Sequence, residues 1–138
     1  MTVRVERTFE LPASVEEVWA FIADPARRAE AISVVDSYDI DGETATWHVK
    51  LPIPVVRQTV PVETRDLERR EPSYVKFAGK SSVMHVVGEH ELAETEGGCE
   101  LTNRFTVEGR LPGVERFFKR NLDNELDNLE RALREELS

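Results

Sequence analysis

Two polar side chains, those of His90 and Asn103, fall on the apolar faces of two predicted strands within residues 88–105, GEHELAETEGGCELTNRF. Strict alternation puts His90 on the face of Leu92, and it puts Asn103 on the face of Leu101. A polar group buried without a partner costs about 1–3 kcal/mol. We therefore expect each of the two to be bonded to the other, to water or to a ligand.

The turn at residues 97–98 predicts how these two strands pair. If it places Leu92 opposite Leu101, antiparallel pairing makes His90 and Asn103 cross-strand neighbours. Two interpretations are open. The pair is either a satisfied part of the core, with a one-residue bulge as a variant that turns one side chain outward, or it is a polar anchor for a ligand in a pocket.

Acid–base chemistry is the reaction class that these residues suggest. His90 is the candidate catalytic acid or base, with Asp36 or Tyr38 as candidate second groups, although an exposed Asp36 is the simpler interpretation. The sequence contains no Gly-x-Ser-x-Gly, no glycine-rich phosphate loop and no His-Glu-x-x-His. We expect a binding protein rather than an enzyme.

Apolar and aromatic side chains share the predicted faces with these polar residues. Small-molecule sites are mostly apolar with a few polar groups, and a flexible methionine adapts to the shape of a ligand. Core packing is the alternative explanation for each of them. The candidate ligand-binding residues are Trp47, Val49, Val75, Phe77, Met84, Val86, His90, Asn103, Phe105, Phe117, Phe118 and Asn121.

The N-terminal part of the chain predicts one strand and two short helices. Residues 3–11 alternate apolar and polar side chains, which is typical of a strand with one buried face. Ser14 and Glu17 have the spacing of a capping box at the start of an amphipathic helix. Asp24 and Pro25 suit the N-cap and the first position of a second helix.

Six further strands are predicted between residues 33 and 109, and the turn signals between them favour an antiparallel sheet. The run LPIPVV at residues 51–56 holds two prolines, so it is either a cavity mouth or a stiff edge connection. Residues 114–137 carry apolar side chains at steps of three and four, which predicts one amphipathic helix of about 36 Å.

This order of elements resembles the START-like helix-grip domains, also called the SRPBCC or polyketide cyclase/dehydrase superfamily. The most specific pieces are FELPASVEEVWAFIADP at residues 9–25 and GGCELTNRFTVEG at residues 97–109, where Cys99 stands in place of the usual threonine. The chain looks closest to the carbon monoxide dehydrogenase G-like and polyketide-cyclase-type branches. The resemblance implies a single α+β domain over residues 1–138, in which a seven-stranded curved antiparallel sheet wraps around the C-terminal helix and encloses an apolar cavity.

Charge and composition narrow the classes of partner. The chain has 18 lysine and arginine residues against 27 aspartate and glutamate residues, a net charge of -9, which argues against nucleic acid or an anionic membrane as partner. No apolar run is long enough to span a membrane, so we expect no stable membrane insertion and a cytoplasmic protein. With one cysteine and three scattered histidines, we expect neither a metal nor a cofactor.

The acidic bias has two interpretations. It is either an adaptation to a salt-accumulating halophile, in which an acidic surface keeps the protein hydrated, or an ordinary acidic surface combined with codon bias.

Three hypotheses of function follow. The leading one is binding of a small or mid-sized apolar molecule, of lipid, quinone or isoprenoid type, in the cavity. The second is an enzyme of polyketide cyclase/aromatase type that uses the same cavity. The third is a non-catalytic accessory in protein interaction or assembly, whose protein partner is unknown.

Overall fold

The computed structural model describes residues 2–42, 44–51, 58–111 and 113–137. Seven strands and three helices occur in these ranges, in the α+β order that the sequence predicts. They are β1 (Thr2–Leu11), α1 (Val15–Ile22), α2 (Pro25–Glu30), β2 (Val35–Asp41), β3 (Thr44–Val49), β4 (Val60–Arg70), β5 (Tyr74–Lys80), β6 (Met84–Thr95), β7 (Gly98–Gly109) and α3 (Val114–Leu137).

The strands form one antiparallel sheet in the order β1-β7-β6-β5-β4-β3-β2, curved around the C-terminal helix. Each strand from β2 to β6 pairs with the next strand along the chain, and β1 joins the sheet beside β7. In the β6–β7 hairpin, Leu92 lies opposite Leu101 and His90 lies opposite Asn103, as the turn at residues 97–98 predicted. The helix-grip fold is thereby confirmed.

Both short helices begin at the caps that the sequence indicates. The Oγ of Ser14 accepts a hydrogen bond from the backbone N–H of Glu17 at 3.2 Å, and the carboxylate of Glu17 accepts one from the N–H of Ser14 at 3.3 Å. The Oδ1 of Asp24 accepts from the N–H of Ala26 at 3.0 Å, and Pro25 is the first residue of α2. These caps fix where α2 lies against β2 and β3.

The long helix α3 buries one stripe and contacts β1, β7 and α1. Arg7, which interrupts the apolar alternation of β1, lies on the side of the sheet that faces α3. Its guanidinium pairs with Asp123 at 3.1 Å and with Asp127. The charge at this position therefore stabilises the docking of α3 at the sheet edge.

Two further observations concern the sequence expectations. Apart from Leu51, the run LPIPVV lies outside the described residues, so the cavity mouth there stays a prediction. None of the described helices has both the length and the apolar character that crossing a membrane requires.

Candidate functional site

A cavity of about 50 Å³ lies between α3 and the concave face of the sheet. Its wall is built by strands β2, β3, β5, β6 and β7, by α2 with the segment that follows it, and by α3. The lining residues are Arg28, Ile32, Val34, Val35, Trp47, Val49, Phe77, Met84, Val86, His90, Phe105, Val107, Phe118, Leu122, Glu125, Leu126 and Leu129.

Most of the candidate ligand-binding residues come together in this wall. They are Trp47, Val49, Phe77, Met84, Val86, His90, Phe105 and Phe118. Alternation along the strands explains the position of the seven strand residues in this set, because the positions that face inward along β3, β5, β6 and β7 all point toward α3. Phe118 faces them from α3 itself.

The remaining four candidates lie outside the wall. Val75 and Asn103 are fully buried, flanking His90 on the two neighbouring strands. Phe117 is half-buried and packs edge-on against Phe118, with ring centroids 5.1 Å apart. Asn121 donates to the backbone oxygen of Phe117 at 2.8 Å, so its amide is bonded within its own helix.

His90 and Asn103 form a hydrogen-bonded pair in the core. The Nδ1 of His90 lies 2.6 Å from the Oδ1 of Asn103, and because a carbonyl oxygen only accepts, Nδ1 carries the proton. Burial lowers the pKa of His90 to about 4, and the positive charge of Arg28 acts in the same direction. The ring is therefore neutral at neutral pH, and its Nε2 is an acceptor.

This pair is only half satisfied. Both side chains are at most 1% exposed, yet neither the Nε2 of His90 nor the Nδ2 of Asn103 has a partner among the described residues. The sequence left two interpretations open, a satisfied core pair and a polar anchor for a ligand, and they apply to different atoms of the pair. One edge of the imidazole is bonded in the core, and the other belongs to a residue of the cavity wall.

Arg28, on α2, is a charged residue of the wall that sequence reasoning missed. It is 5% exposed, and its Nη2 donates to Asp66 at 2.8 Å. Burial lowers the pKa of Arg28, and the carboxylate of Asp66 opposes that shift. A six-residue helix is too short for periodicity to separate this buried arginine from the exposed Arg27.

Glu125 is a second charged wall residue that sequence reasoning missed. It is 7% exposed, and its carboxylate accepts from the backbone N–H of Ser33 at 2.8 Å and from the Ser33 hydroxyl. In the sequence, Glu125 interrupts the apolar stripe of α3 beside Leu126, and that interruption is the signal for a buried carboxylate. Its bond joins α3 to the segment after α2.

Arg28, His90 and the indole of Trp47 gather around one aromatic ring of the wall, that of Phe77. The guanidinium carbon of Arg28 lies 4.7 Å from the ring centroid. The rings of Trp47 and His90 have their centroids 5.8 Å and 6.0 Å from that of Phe77. We call these four residues, Arg28, Trp47, Phe77 and His90, the Phe77 cluster.

The structure does not bring the other two candidate acid–base groups to His90. A register shift in β2 between Val35 and Ser37 interrupts the alternation from which their position was inferred. Asp36 is exposed at this irregularity, and the hydroxyl of Tyr38 donates to Glu30. Neither lines the cavity. Asp36 is the residue that the register shift leaves without a pairing partner on β3, whereas Tyr38 lies opposite Trp47 but directs its hydroxyl to Glu30.

Gly88 makes room for the aromatic rings of the wall. A Cβ at this position would lie 2.4 Å from Cε1 of Phe77 and 3.0 Å from Cε1 of Phe105. We expect Gly88→Ala to lower the free energy of unfolding by about 1–3 kcal/mol, because both rings must move in a packed core. Urea denaturation measures this change, and Gly97→Ala is the control because its Cβ would meet nothing within 4 Å. Equal midpoints for the two variants would contradict the expectation.

Solved structures with the same fold occur in several bacteria. The Zhui aromatase/cyclase from a Streptomyces species superposes with a TM-score of 0.77 at 14% identity, over 99% of this chain and 93% of that one. A START superfamily protein from Mycobacterium smegmatis gives 0.76 at 16% identity, over 98% and 99%. A conserved protein from Geobacillus kaustophilus gives 0.75 at 17% identity, over 97% and 94%. At these identities the likeness concerns the fold.

Sequence comparisons identify the family. A search of curated proteins finds no significant match. The family described as polyketide cyclase / dehydrase and lipid transport matches residues 2–134, nearly the whole chain. The carbon monoxide dehydrogenase G-like branch stays a prediction. With the helix-grip fold and a cavity between sheet and helix, the chain belongs to the polyketide cyclase / dehydrase and lipid transport family.

Proposed function

We propose that the chain binds an apolar small molecule in the cavity between α3 and the sheet and does not act on it chemically. The observation that carries this proposal is the composition of the wall, in which every side chain is apolar apart from Arg28, His90 and Glu125. Such a wall with few polar groups is typical of small-molecule sites. The family description, which includes lipid transport, supports the same function.

The size of the cavity sets a condition on the ligand. Sites for drug-sized ligands have volumes of roughly 300–1,000 Å³, whereas this cavity measures about 50 Å³. A lipid, a quinone or an isoprenoid therefore requires the cavity to widen. Met84 has a flexible side chain, and Phe118 and Leu122 are carried by α3, so we infer that the cavity widens by motion of these groups.

A cyclase-type enzyme is the second candidate, and His90 is the residue on which it depends. The family description and the aromatase/cyclase fold relative favour this candidate. A group with a pKa of about 4 is a weak base at neutral pH, and the only proton on the ring is held in the bond to Asn103. Binding without catalysis is therefore the function that the geometry supports better.

Native mass spectrometry tests the proposed function with a panel of fatty acids, quinones and isoprenoids. We expect an added mass on the natural chain that disappears on denaturation. Val86→Phe fills part of the cavity and should abolish the added mass, whereas Leu67→Phe, at a 56% exposed position, should keep it. Circular dichroism verifies that both variants are folded.

Three results would count against the proposal. An added mass retained by Val86→Phe would place the ligand elsewhere. No added mass from any member of the panel would favour the protein-interaction hypothesis. Turnover of a polyketide substrate that is lost in His90→Gln would favour the cyclase.

A further inference from the structure

The cavity wall contains polar atoms that the protein itself leaves without partners. Among the described residues, four such nitrogen atoms belong to wall residues: Nε and Nη1 of Arg28, Nε1 of Trp47 and Nε2 of His90. The three side chains are 5%, 4% and 1% exposed. A buried polar group without a partner is costly, so a molecule that supplies the missing partner gains affinity from it.

Most of these atoms are hydrogen-bond donors. The guanidinium nitrogens of Arg28 and the indole nitrogen of Trp47 can only donate, so the partner they lack is an acceptor. Both residues belong to the Phe77 cluster, within about 6 Å of one ring centroid. The missing acceptor is therefore needed in the part of the wall around the Phe77 ring.

The carboxylate bonded to Arg28 and the carboxylate of the wall already accept hydrogen bonds from other groups of the protein. Asp66 accepts from Arg28 at 2.8 Å and from Arg69 at 2.8 Å, so a single negative charge serves two guanidinium groups. Glu125, the carboxylate of the wall, is bound to Ser33. Asp66 is thus shared, and neither carboxylate supplies an acceptor for Nε and Nη1 of Arg28.

We propose that the ligand is an apolar molecule with a carbonyl-type oxygen, a ketone or a carboxylate, that accepts hydrogen bonds from Arg28 and Trp47. The inference rests on the proposed function, since it names the class of molecule that the same cavity takes. The unpaired Nε2 of His90 is an acceptor and favours a hydroxyl group next to that oxygen. A pure hydrocarbon leaves all of these atoms without partners.

Three planar probes of nearly equal shape test the proposal: α-methylstyrene, acetophenone and benzoate. They differ in one group, which is a methylidene, a ketone or a carboxylate. In titrations followed by calorimetry, the better of the two oxygen compounds should bind at least about tenfold more tightly than the hydrocarbon, because a bond to a charged donor outweighs the lower hydrophobicity. The order of acetophenone and benzoate shows whether the site prefers a neutral or an anionic oxygen.

Two variants of α2 locate the effect. Arg28→Met should remove the preference and leave the hydrocarbon the better ligand. Arg27→Met is the matched control, because the Arg27 side chain is 39% exposed, pairs with Glu136 and does not line the cavity, and it should keep the preference. A second readout needs no variant of Arg28. The Trp47 indole N–H resonance should move downfield with an oxygen compound and not with the hydrocarbon.

The outcomes separate this inference from the proposed function. Hydrocarbon binding as tight as that of both oxygen compounds, or a preference kept by Arg28→Met, would overturn the inference and leave the apolar cavity as a binding site. An unchanged Trp47 indole resonance in a bound complex would overturn it as well. No binding of any probe, together with no added mass from the lipid and quinone panel, would overturn both.

Discussion

Asp66→Asn is expected to lower the free energy of unfolding by about 3–5 kcal/mol, the range for removing one partner of a buried ion pair. The Arg28 guanidinium is 5% exposed and bonds to Asp66 at 2.8 Å. Without the carboxylate, the buried positive charge loses the counterion to which it is hydrogen-bonded. Arg69, which shares Asp66, loses the same partner, but its side chain is 40% exposed and also lies 4.0 Å from Glu71.

Urea denaturation of three variants tests this expectation. Glu6→Gln is the control, because Glu6 and its partner Arg104 are exposed, and pairs of this kind contribute at most about 1 kcal/mol. Combining Asp66→Asn with Arg28→Met also removes the guanidinium charge that Asp66→Asn leaves without its partner, so the double variant should recover part of the lost stability. A loss with Asp66→Asn as small as that of the control would show that Arg28 is not held by this pair.

Acidification from pH 6.5 to pH 4 is expected to cost the fold about 3 kcal/mol through His90 alone. Burial lowers the pKa of His90 in the folded chain to about 4, below the ordinary value of 6.5. In this window the unfolded chain takes up a proton at His90 and the folded chain does not, so stability falls as the pH falls. Well above pH 6.5 both states are neutral at His90, which then adds no pH dependence.

Chemical denaturation at several pH values measures this contribution. The free energy of unfolding of the natural chain should decline more steeply on acidification than that of His90→Gln, by up to about 1.4 kcal/mol per pH unit. The carboxylates titrate in both chains, so the difference between the two curves isolates His90. Parallel curves would mean that the folded protein protonates His90 as readily as the unfolded chain does.

Local rules explain what the sequence could predict. The cap at Ser14 and the pairing of His90 with Asn103 depend on neighbours a few residues away or across one short turn, and both were predictable. Alternation along single strands also predicted that Trp47 and Phe77 lie on the side of the sheet that faces the cavity.

The rest of the site depends on tertiary packing. The sequence of α2 does not distinguish Arg28 from Arg27, because the burial of Arg28 comes from its tertiary contacts. Alternation failed for Asp36, because the register shift in β2 leaves no signal in the apolar pattern. The volume of the cavity depends on how Phe118 and Leu122 fill the space between helix and sheet, and a one-dimensional pattern carries no such information.

The bond between Glu125 and Ser33 has a consequence for which molecules are admitted. It ties α3 to the segment after α2, so a ligand that pushes these two parts of the wall apart must break it. The apparent affinity for such a ligand is its intrinsic affinity multiplied by the fraction of molecules in which the bond is open. Molecules small enough to fit in the cavity with the Glu125–Ser33 bond intact keep their full intrinsic affinity. If the chain binds a ligand as proposed, the Glu125 carboxylate then limits ligand size, and weakening its bond to Ser33 should broaden the range of molecules that bind.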